Sequence, residues 1–204
     1  MQNIIYDFKD SLYINLTNNC SNSCDFCIRN IKDGVNGNGL WLDEDPTAEQ
    51  VISELAKRDL SVYREIVFCG FGEPTCALPV LVEVAKYLKS RGAVTRINTN
   101  GQANLINGCD NAAEILAPVI DHISVSLNAS NAEKYQSICH SEFGEEGFYA
   151  MLKFTAQCVE AGIDTAMSVV DCIGEEEIEA CRKVAESVGA KYRVRATVHE
   201  DDEY

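Results

Sequence analysis

The stretch HISVSLN, residues 122–128, alternates strictly between polar and apolar side chains. In an extended chain Ser124, Ser126 and Asn128 fall on one face and Ile123, Val125 and Leu127 on the other. A parallel strand covered by helices on both sides usually runs apolar throughout. The polar face of this strand must therefore look onto something other than a second helical layer. The pattern recurs along the chain: Asn15 and Thr17 near 11–17, Arg96, Asn98 and Asn100 at and just beyond 94–99, and Arg193, Arg195 and Thr197 within 192–198.

An antiparallel sheet with one wet face would give the same alternation. The segments between the strands decide against it. Strand-like runs are read at Ser11–Thr17, Glu65–Phe71, Val94–Thr99, His122–Asn128, Thr165–Val170 and Tyr192–Val198. Helical patterns lie between them. Thr47 with Gln50 forms a capping-box pattern ahead of the Val51, Ile52, Leu55, Ala56 stripe. Leu78–Arg91 closes at Gly92, a short helix runs from Asn111 to Leu116 before Pro118, two segments occupy 131–139 and 146–161, and Glu175–Val188 is the last.

Six strands alternating with helices predict right-handed βαβ units and a parallel sheet. With helices on one face and polar side chains on the other, the expected fold class is α/β, a partial (β/α)6 TIM-like barrel. Chemistry in such barrels sits at the C-terminal ends of the strands. No linker or repeat interrupts the series, so residues 1–204 read as one domain, with an acidic end at Glu200–Glu203 as a solvated tail.

Composition narrows the function classes. The 204 residues are 46% hydrophobic and 24% charged, as in an ordinary globular domain. A net charge of −15 argues against broad electrostatic binding of nucleic acid. No apolar run is long enough to span a membrane, and the N-terminal MQNIIYDFKD lacks a basic segment followed by an apolar stretch, so a cytoplasmic location is expected. In that reducing compartment ten cysteines read as buried small hydrophobes or metal ligands rather than disulfides.

Two loops carry the chemistry. Cys20, Cys24 and Cys27 fall within eight residues, just beyond the first strand. A structural zinc site normally takes a fourth Cys or His at a second short spacing, and none of His122, His140 or His199 is placed for it. Three thiolates suit a four-iron cluster with one iron open to another ligand, although a chance match in a Cys-rich chain, or a non-catalytic iron–sulfur or zinc-binding module, gives the same spacing. The second strand runs into FCGFGEPT, residues 68–75, a glycine-rich turn with a carboxylate, Glu73, at its tip. Glycine permits close backbone approach, Pro74 stiffens the turn, and Glu73 is an acceptor suited to an ammonium group.

The paired motifs NNCSNSCDFC (18–27) and FCGFGEPT resemble those of the radical S-adenosylmethionine (radical SAM) enzymes. More closely, LYINLTNNCSNSCDFCIRN, LWLDEDPTAEQVI, RINTNGQANLI and SVSLNA resemble the TatD-associated subgroup of that superfamily. The resemblance implies that Cys20, Cys24 and Cys27 hold a [4Fe–4S] cluster whose open iron takes the amino and carboxylate groups of SAM. It implies an oxygen-sensitive enzyme that takes an electron from a donor such as flavodoxin or ferredoxin and makes a 5′-deoxyadenosyl radical. Carried over position by position, Phe26 matches the aromatic near the adenine, and Gly72, Glu73 and Pro74 match the turn that grips the methionyl ammonium. Phe71 replaces that turn's first glycine. Ser124, Ser126 and Asn128 match contacts to ribose or carboxylate, and Ser168 is a cofactor candidate on a fifth strand that lacks the family's motif.

Other candidates come from the polar strand faces. Asn98 is read as a contact to SAM. Asn100 is read as a contact to SAM or substrate, or simply as part of an Asn100-Gly101 turn. Arg193 and Arg195 would bind an anionic substrate group or pair with internal carboxylates. The remaining seven cysteines show no short-spaced pair, and most of them read as buried hydrophobes. Trp41 and Leu42 read as cover for the cluster. A small molecule, a nucleotide or a protein partner fits an acidic chain with an open barrel better than a long polyanion does.

Overall fold

The 122–128 alternation forms the strand near the middle of one sheet in a computed structural model that describes residues 3–35 and 37–197. The strands are β1 (Ile5–Phe8), β2 (Ser11–Ile14), β3 (Gly34–Val35), β4 (Asn38–Gly39), β5 (Ile66–Phe68), β6 (Thr95–Thr99), β7 (His122–Ser126), β8 (Asp164–Val170) and β9 (Lys191–Arg195). The helices are α1 (Ala48–Leu55), α2 (Leu78–Ser90), α3 (Ala103–Asn107), α4 (Ala112–Leu116), α5 (Ala132–Cys139), α6 (Glu146–Glu160) and α7 (Glu175–Ser187). Val198, His199 and the acidic 200–203 segment lie outside the described residues.

The main sheet has the order β1-β2-β5-β6-β7-β8-β9. From β2 to β9 every neighbour is parallel, so the six expected parallel strands are present in chain order. This is an α/β fold with a mostly parallel sheet, in the order of a (β/α)6 barrel left open between its edge strands. One strand of this sheet was not expected: β1 pairs antiparallel with β2 through a tight turn at Lys9-Asp10, where Lys9 takes φ of 56°. Helix α3 and the β3–β4 hairpin inside the long loop were also not expected.

Register separates the two faces. Leu12, Ile66, Ile97, Ile123 and Met167 belong to one core cluster with Val51 and Leu55 of α1, Leu81, Val84 and Leu88 of α2, and Met151, Phe154 and Cys158 of α6. On the opposite face lie Arg96, Asn98, Ser124, Ser126, Ser168, Arg193 and Arg195, with Ser124 registered between Asn98 and Ala166, and Ser126 beside Ser168. The inner face is therefore a polar trough. At its β1–β2 edge a second small cluster of Tyr6, Val35, Leu40 and Phe71 fills the space under the hairpin.

Local signals hold where they were read. Thr47 caps α1 with the reciprocal Thr47–Gln50 capping box in place. Four strands end earlier than expected, β2 at Ile14, β5 at Phe68, β7 at Ser126 and β9 at Arg195. The continuations of β2 and β5 leave the ladder to become the loops of the site.

Candidate active site

The site is built where β2, β5 and β6 end. The cysteine loop leaves β2, and the 69–75 turn leaves β5 directly alongside it. Glu73 N–H donates to the Asn19 carbonyl at 2.7 Å. A Cβ on Gly72 would lie 2.2 Å from the Thr17 carbonyl oxygen and 2.6 Å from that of Asn19, so only glycine lets the two backbones meet. The two motifs seen in the sequence are thus one structural unit.

Glu73 is drawn inward rather than left at the tip of the turn. It is 3% exposed and caps the single helical turn Pro74–Ala77. Its Oε1 accepts from Thr75 N–H (3.1 Å), Thr75 Oγ1 (2.8 Å) and Thr99 Oγ1 (2.7 Å), and its Oε2 from Asn100 N–H at 2.6 Å. Burial raises its pKa from the usual carboxylate range, with these donors opposing the shift. The carboxylate ties the turn to the end of β6 and keeps lone-pair capacity on Oε2 alone.

Asn100 is a brace for the cysteine loop. Its Nδ2 donates to Ser21 Oγ at 2.8 Å and lies 3.9 Å from Cys20 Sγ, while its Oδ1 accepts from Gln102 N–H at 2.9 Å. The chain bends at Gly101, with φ of 79°, without the positive φ at Asn100 that a type I′ turn takes. Behind the loop lies a buried polar network that the sequence did not reveal. Ser21 Oγ donates to Gln102 Oε1 (2.8 Å), Gln102 Nε2 donates to Asn22 Oδ1 (3.0 Å) and to the Tyr135 hydroxyl (2.9 Å), and Asn22 Nδ2 donates to the same hydroxyl (2.8 Å). Gln102 and Tyr135 are fully buried. Buried amides with satisfied partners fix a loop in one conformation.

The three cysteines are half-buried at the rim of this network. Burial, and then the negative charge of Glu73, push the Cys20 thiol up to about 12. A hydrogen bond with Cys139, followed by burial, raises Cys24; burial raises Cys27. Asn22 N–H points at Cys20 Sγ at 3.4 Å. Among the described residues no three of His, Cys, Asp and Glu converge on a single ion. Three thiols spread along a loop suit a cluster, in which each ligated iron takes its own thiolate.

The other candidates line the trough. Phe26 is half-buried and packs against the main core. Asn98 accepts from Arg96, which also holds Glu65 in a two-pronged ion pair at 3.0 Å to each oxygen. Ser124 is 7% exposed and accepts from Arg193 Nη2 at 3.3 Å. Ser126 is half-buried, and Ser168 is buried with its hydroxyl 3.5 Å from the Val125 carbonyl. Asn128 is 3% exposed at φ of 61°, and its Oδ1 has no hydrogen-bond partner. A buried, unpartnered amide oxygen beside the cysteine loop is what a ligand-facing residue presents. Trp41 is 47% exposed and packs edge-on against Phe71 at 5.1 Å, and Leu42 is buried.

A mostly parallel half-barrel with a thiol-bearing loop beyond its first parallel strand and a glycine–carboxylate turn beyond its second defines the class: an α/β scaffold that holds a thiolate-bound cofactor at the strand ends. The chain belongs to the radical SAM superfamily, whose family model matches residues 14–187. Members of that superfamily bind a [4Fe–4S] cluster and SAM, and the three thiols, the buried polar network and the orphaned Asn128 oxygen fit those groups.

Solved structures share the fold. SuiB from Streptococcus suis bound to S-adenosylmethionine is 19% identical, with a TM-score of 0.68 over 97% of this chain and 41% of SuiB. A radical SAM methyltransferase from Sphaerobacter thermophilus is 14% identical, with a TM-score of 0.63 over 97% of this chain and 70% of that one. HydG, a maturase of the [FeFe]-hydrogenase, is 17% identical, with a TM-score of 0.66 over 93% of this chain and 42% of HydG. The chain thus spans about two fifths of the length of SuiB. A search of curated proteins finds no match. Among the described residues no helix is long and apolar enough to cross a membrane.

Proposed function

We propose that this chain is a cytoplasmic radical SAM enzyme, of the TatD-associated kind its motifs resemble, acting on a substrate seated in the polar trough. When bound, the cluster and SAM supply reductive cleavage to methionine and a 5′-deoxyadenosyl radical, which abstracts a substrate hydrogen; the electron comes from a flavodoxin- or ferredoxin-type donor. Cys20, Cys24 and Cys27 are the cluster ligands. The Gly72–Pro74 turn receives the methionyl ammonium through its backbone carbonyls and the one open side of Glu73. Phe26 lies against the adenine, and Asn98, Ser124, Ser126, Asn128 and Ser168 provide polar contacts to ribose and carboxylate.

The observation that carries this reading is the locking of the cysteine loop to the Gly72–Pro74 turn, by the 2.7 Å Glu73–Asn19 bond and the Gly72 contact. A cysteine staple with no cofactor chemistry has no need of a second loop held against it. Arg193 donates to the Ser124 hydroxyl at 3.3 Å, and with Arg195 it serves an anionic group on a small molecule, a nucleotide or a protein partner. Anaerobic reconstitution, iron and sulfide counting, and incubation with SAM and a strong reductant test the reading. Release of 5′-deoxyadenosine is expected; bound zinc, or an intact cluster that never cleaves SAM, overturns it.

A further inference from the structure

The polar trough has a second end, away from the cysteine loop. There a cavity of about 400 Å³ opens among the first residues of β7, β8 and β9 and the residues leading into β5 and β6. Its charged lining is Arg64, Arg96, Lys191 and Arg193 against Glu65 and Asp164, four positive charges and two negative with His122 neutral. The whole chain has 17 basic residues and 32 acidic ones, so this lining inverts the balance around it. Its carboxylates already have partners. Glu65 is held by Arg96 at 3.0 Å and by Arg64 at 3.1 Å, and Asp164 by Lys191 at 2.6 Å with His122 at 3.3 Å. Arg64 also reaches Asp10, outside the lining, at 3.2 Å. Arg193 is exposed and, among the described residues, stands in no ion pair. Its Nη2 donates to the hydroxyl of Ser124, itself in the cavity wall and 7% exposed, which holds the guanidinium over the cavity. Like charges gathered in a concave site raise the local concentration of the opposite ion.

We propose that this cavity seats the phosphoryl dianion of an organic phosphate substrate, with Arg193 and Lys191 as its binding residues. The proposal rests on the trough being the substrate site. Two positive charges in excess match a dianion, whereas a carboxylate would leave one over. Arg193 offers paired N–H donors to phosphate oxygens, and Lys191, whose side chain is 71% exposed on the edge strand, can turn its ammonium from Asp164 to the same group. Position sets the size of the rest of the molecule. From His122 at the cavity to Ser126 at the end of β7 is four residues, or about 13 Å. A sugar phosphate or nucleotide anchored at the cavity runs along the trough toward the strand ends where the cysteine loop and the Gly72–Pro74 turn meet. Free phosphate does not.

The test is calorimetric titration of the full, anaerobically reconstituted chain with inorganic phosphate, ribose 5-phosphate and acetate. It is run at about 0.15 M salt, where exposed charges more than about 8 Å apart are largely screened. Phosphate and ribose 5-phosphate are expected to bind, and acetate about tenfold more weakly or not at all. Arg193→Gln and Lys191→Gln should each lower phosphate affinity about tenfold, the scale of one charge-assisted hydrogen bond. Arg182→Gln removes the same charge from α7, outside the cavity lining, and should leave that affinity unchanged. Equal losses in all three variants, or acetate bound as tightly as phosphate, overturn the proposal. So does phosphate bound with ribose 5-phosphate excluded, since the anion would then be free phosphate and not part of a substrate. A chain that releases 5′-deoxyadenosine from SAM but binds no phosphate overturns this proposal alone. One that binds phosphate but never cleaves SAM overturns the proposed function and keeps the anion site.

Discussion

Replacing Glu73 by alanine should weaken the whole protein before it weakens any binding event. The carboxylate accepts four hydrogen bonds, two from backbone N–H groups of Thr75 and Asn100 and two from the hydroxyls of Thr75 and Thr99. The hydroxyls can turn to other acceptors, but the two amides cannot. A buried donor left unpaired costs about 1–3 kcal/mol, so two of them cost about 2–6 kcal/mol. The relief of burying a charge, visible in the upward push on the Glu73 pKa, offsets part of this. A net loss of about 3 kcal/mol is expected, or about 6–12 °C in Tm for a domain of this size. Glu73→Gln keeps an acceptor for the three Oε1 donors and should lose about half as much. Urea denaturation of the cluster-free protein under reducing conditions measures both variants. A Glu73→Ala chain within 1 kcal/mol of wild type would refute the reasoning, because it would mean the carboxylate faces a ligand and not the protein.

Gly72→Ala places a methyl 2.2 Å from a backbone oxygen, and overpacking of this kind costs about 1–3 kcal/mol; binding titration should show SAM affinity falling along with stability. Arg96→Met removes a two-pronged partner from Glu65, which is 12% exposed and keeps the exposed Arg64 guanidinium at 3.1 Å, and should cost about 2 kcal/mol; the double change Arg96→Met with Glu65→Leu should recover most of the loss in a double-mutant cycle. Thr47→Ala removes the capping box of α1 and should cost about 1 kcal/mol in urea denaturation, leaving iron content unchanged.

Much of the sheet was legible because each parallel strand before β9 is a β-rich run followed by a helix with its own start or stop residue. β1 was not, since IYDF is four residues long and its Lys9-Asp10 turn lacks the Asn-Gly or Gly residues that announce a hairpin. Strand ends were overrun at Asn15–Thr17 and Leu127–Asn128 because alternation continues there after the ladder stops. In the site, the two motifs were readable from local spacing alone. The supports were not: Gln102 meets Ser21 across 81 residues and Tyr135 meets Asn22 across 113. Only the tertiary fold brings such partners together, and a lone Gln, Tyr or Cys in a helical pattern gives no sign of it. Glu73 stands out in the sequence at the tip of its turn, but its inward orientation depends on Thr99 and Asn100 of another strand end.

The dispersal of those supports also bears on how the protein is made. The cysteine loop leaves the ribosome directly behind β2, yet its conformation depends on Asn19 meeting Glu73, Ser21 meeting Asn100 and Gln102, and Ser23 meeting Cys139. The Ser21 carbonyl further accepts from Glu142 N–H at 2.9 Å. Contacts this distant in sequence form late, after the intervening chain has closed on itself. A nascent chain that has not passed about residue 140 thus presents three unorganised thiols, and an iron–sulfur carrier would find a finished receptacle only once the Cys139 and Glu142 contacts have formed. Delivery after folding, rather than metal-nucleated folding of the kind seen in small zinc domains, is the order of assembly this architecture imposes.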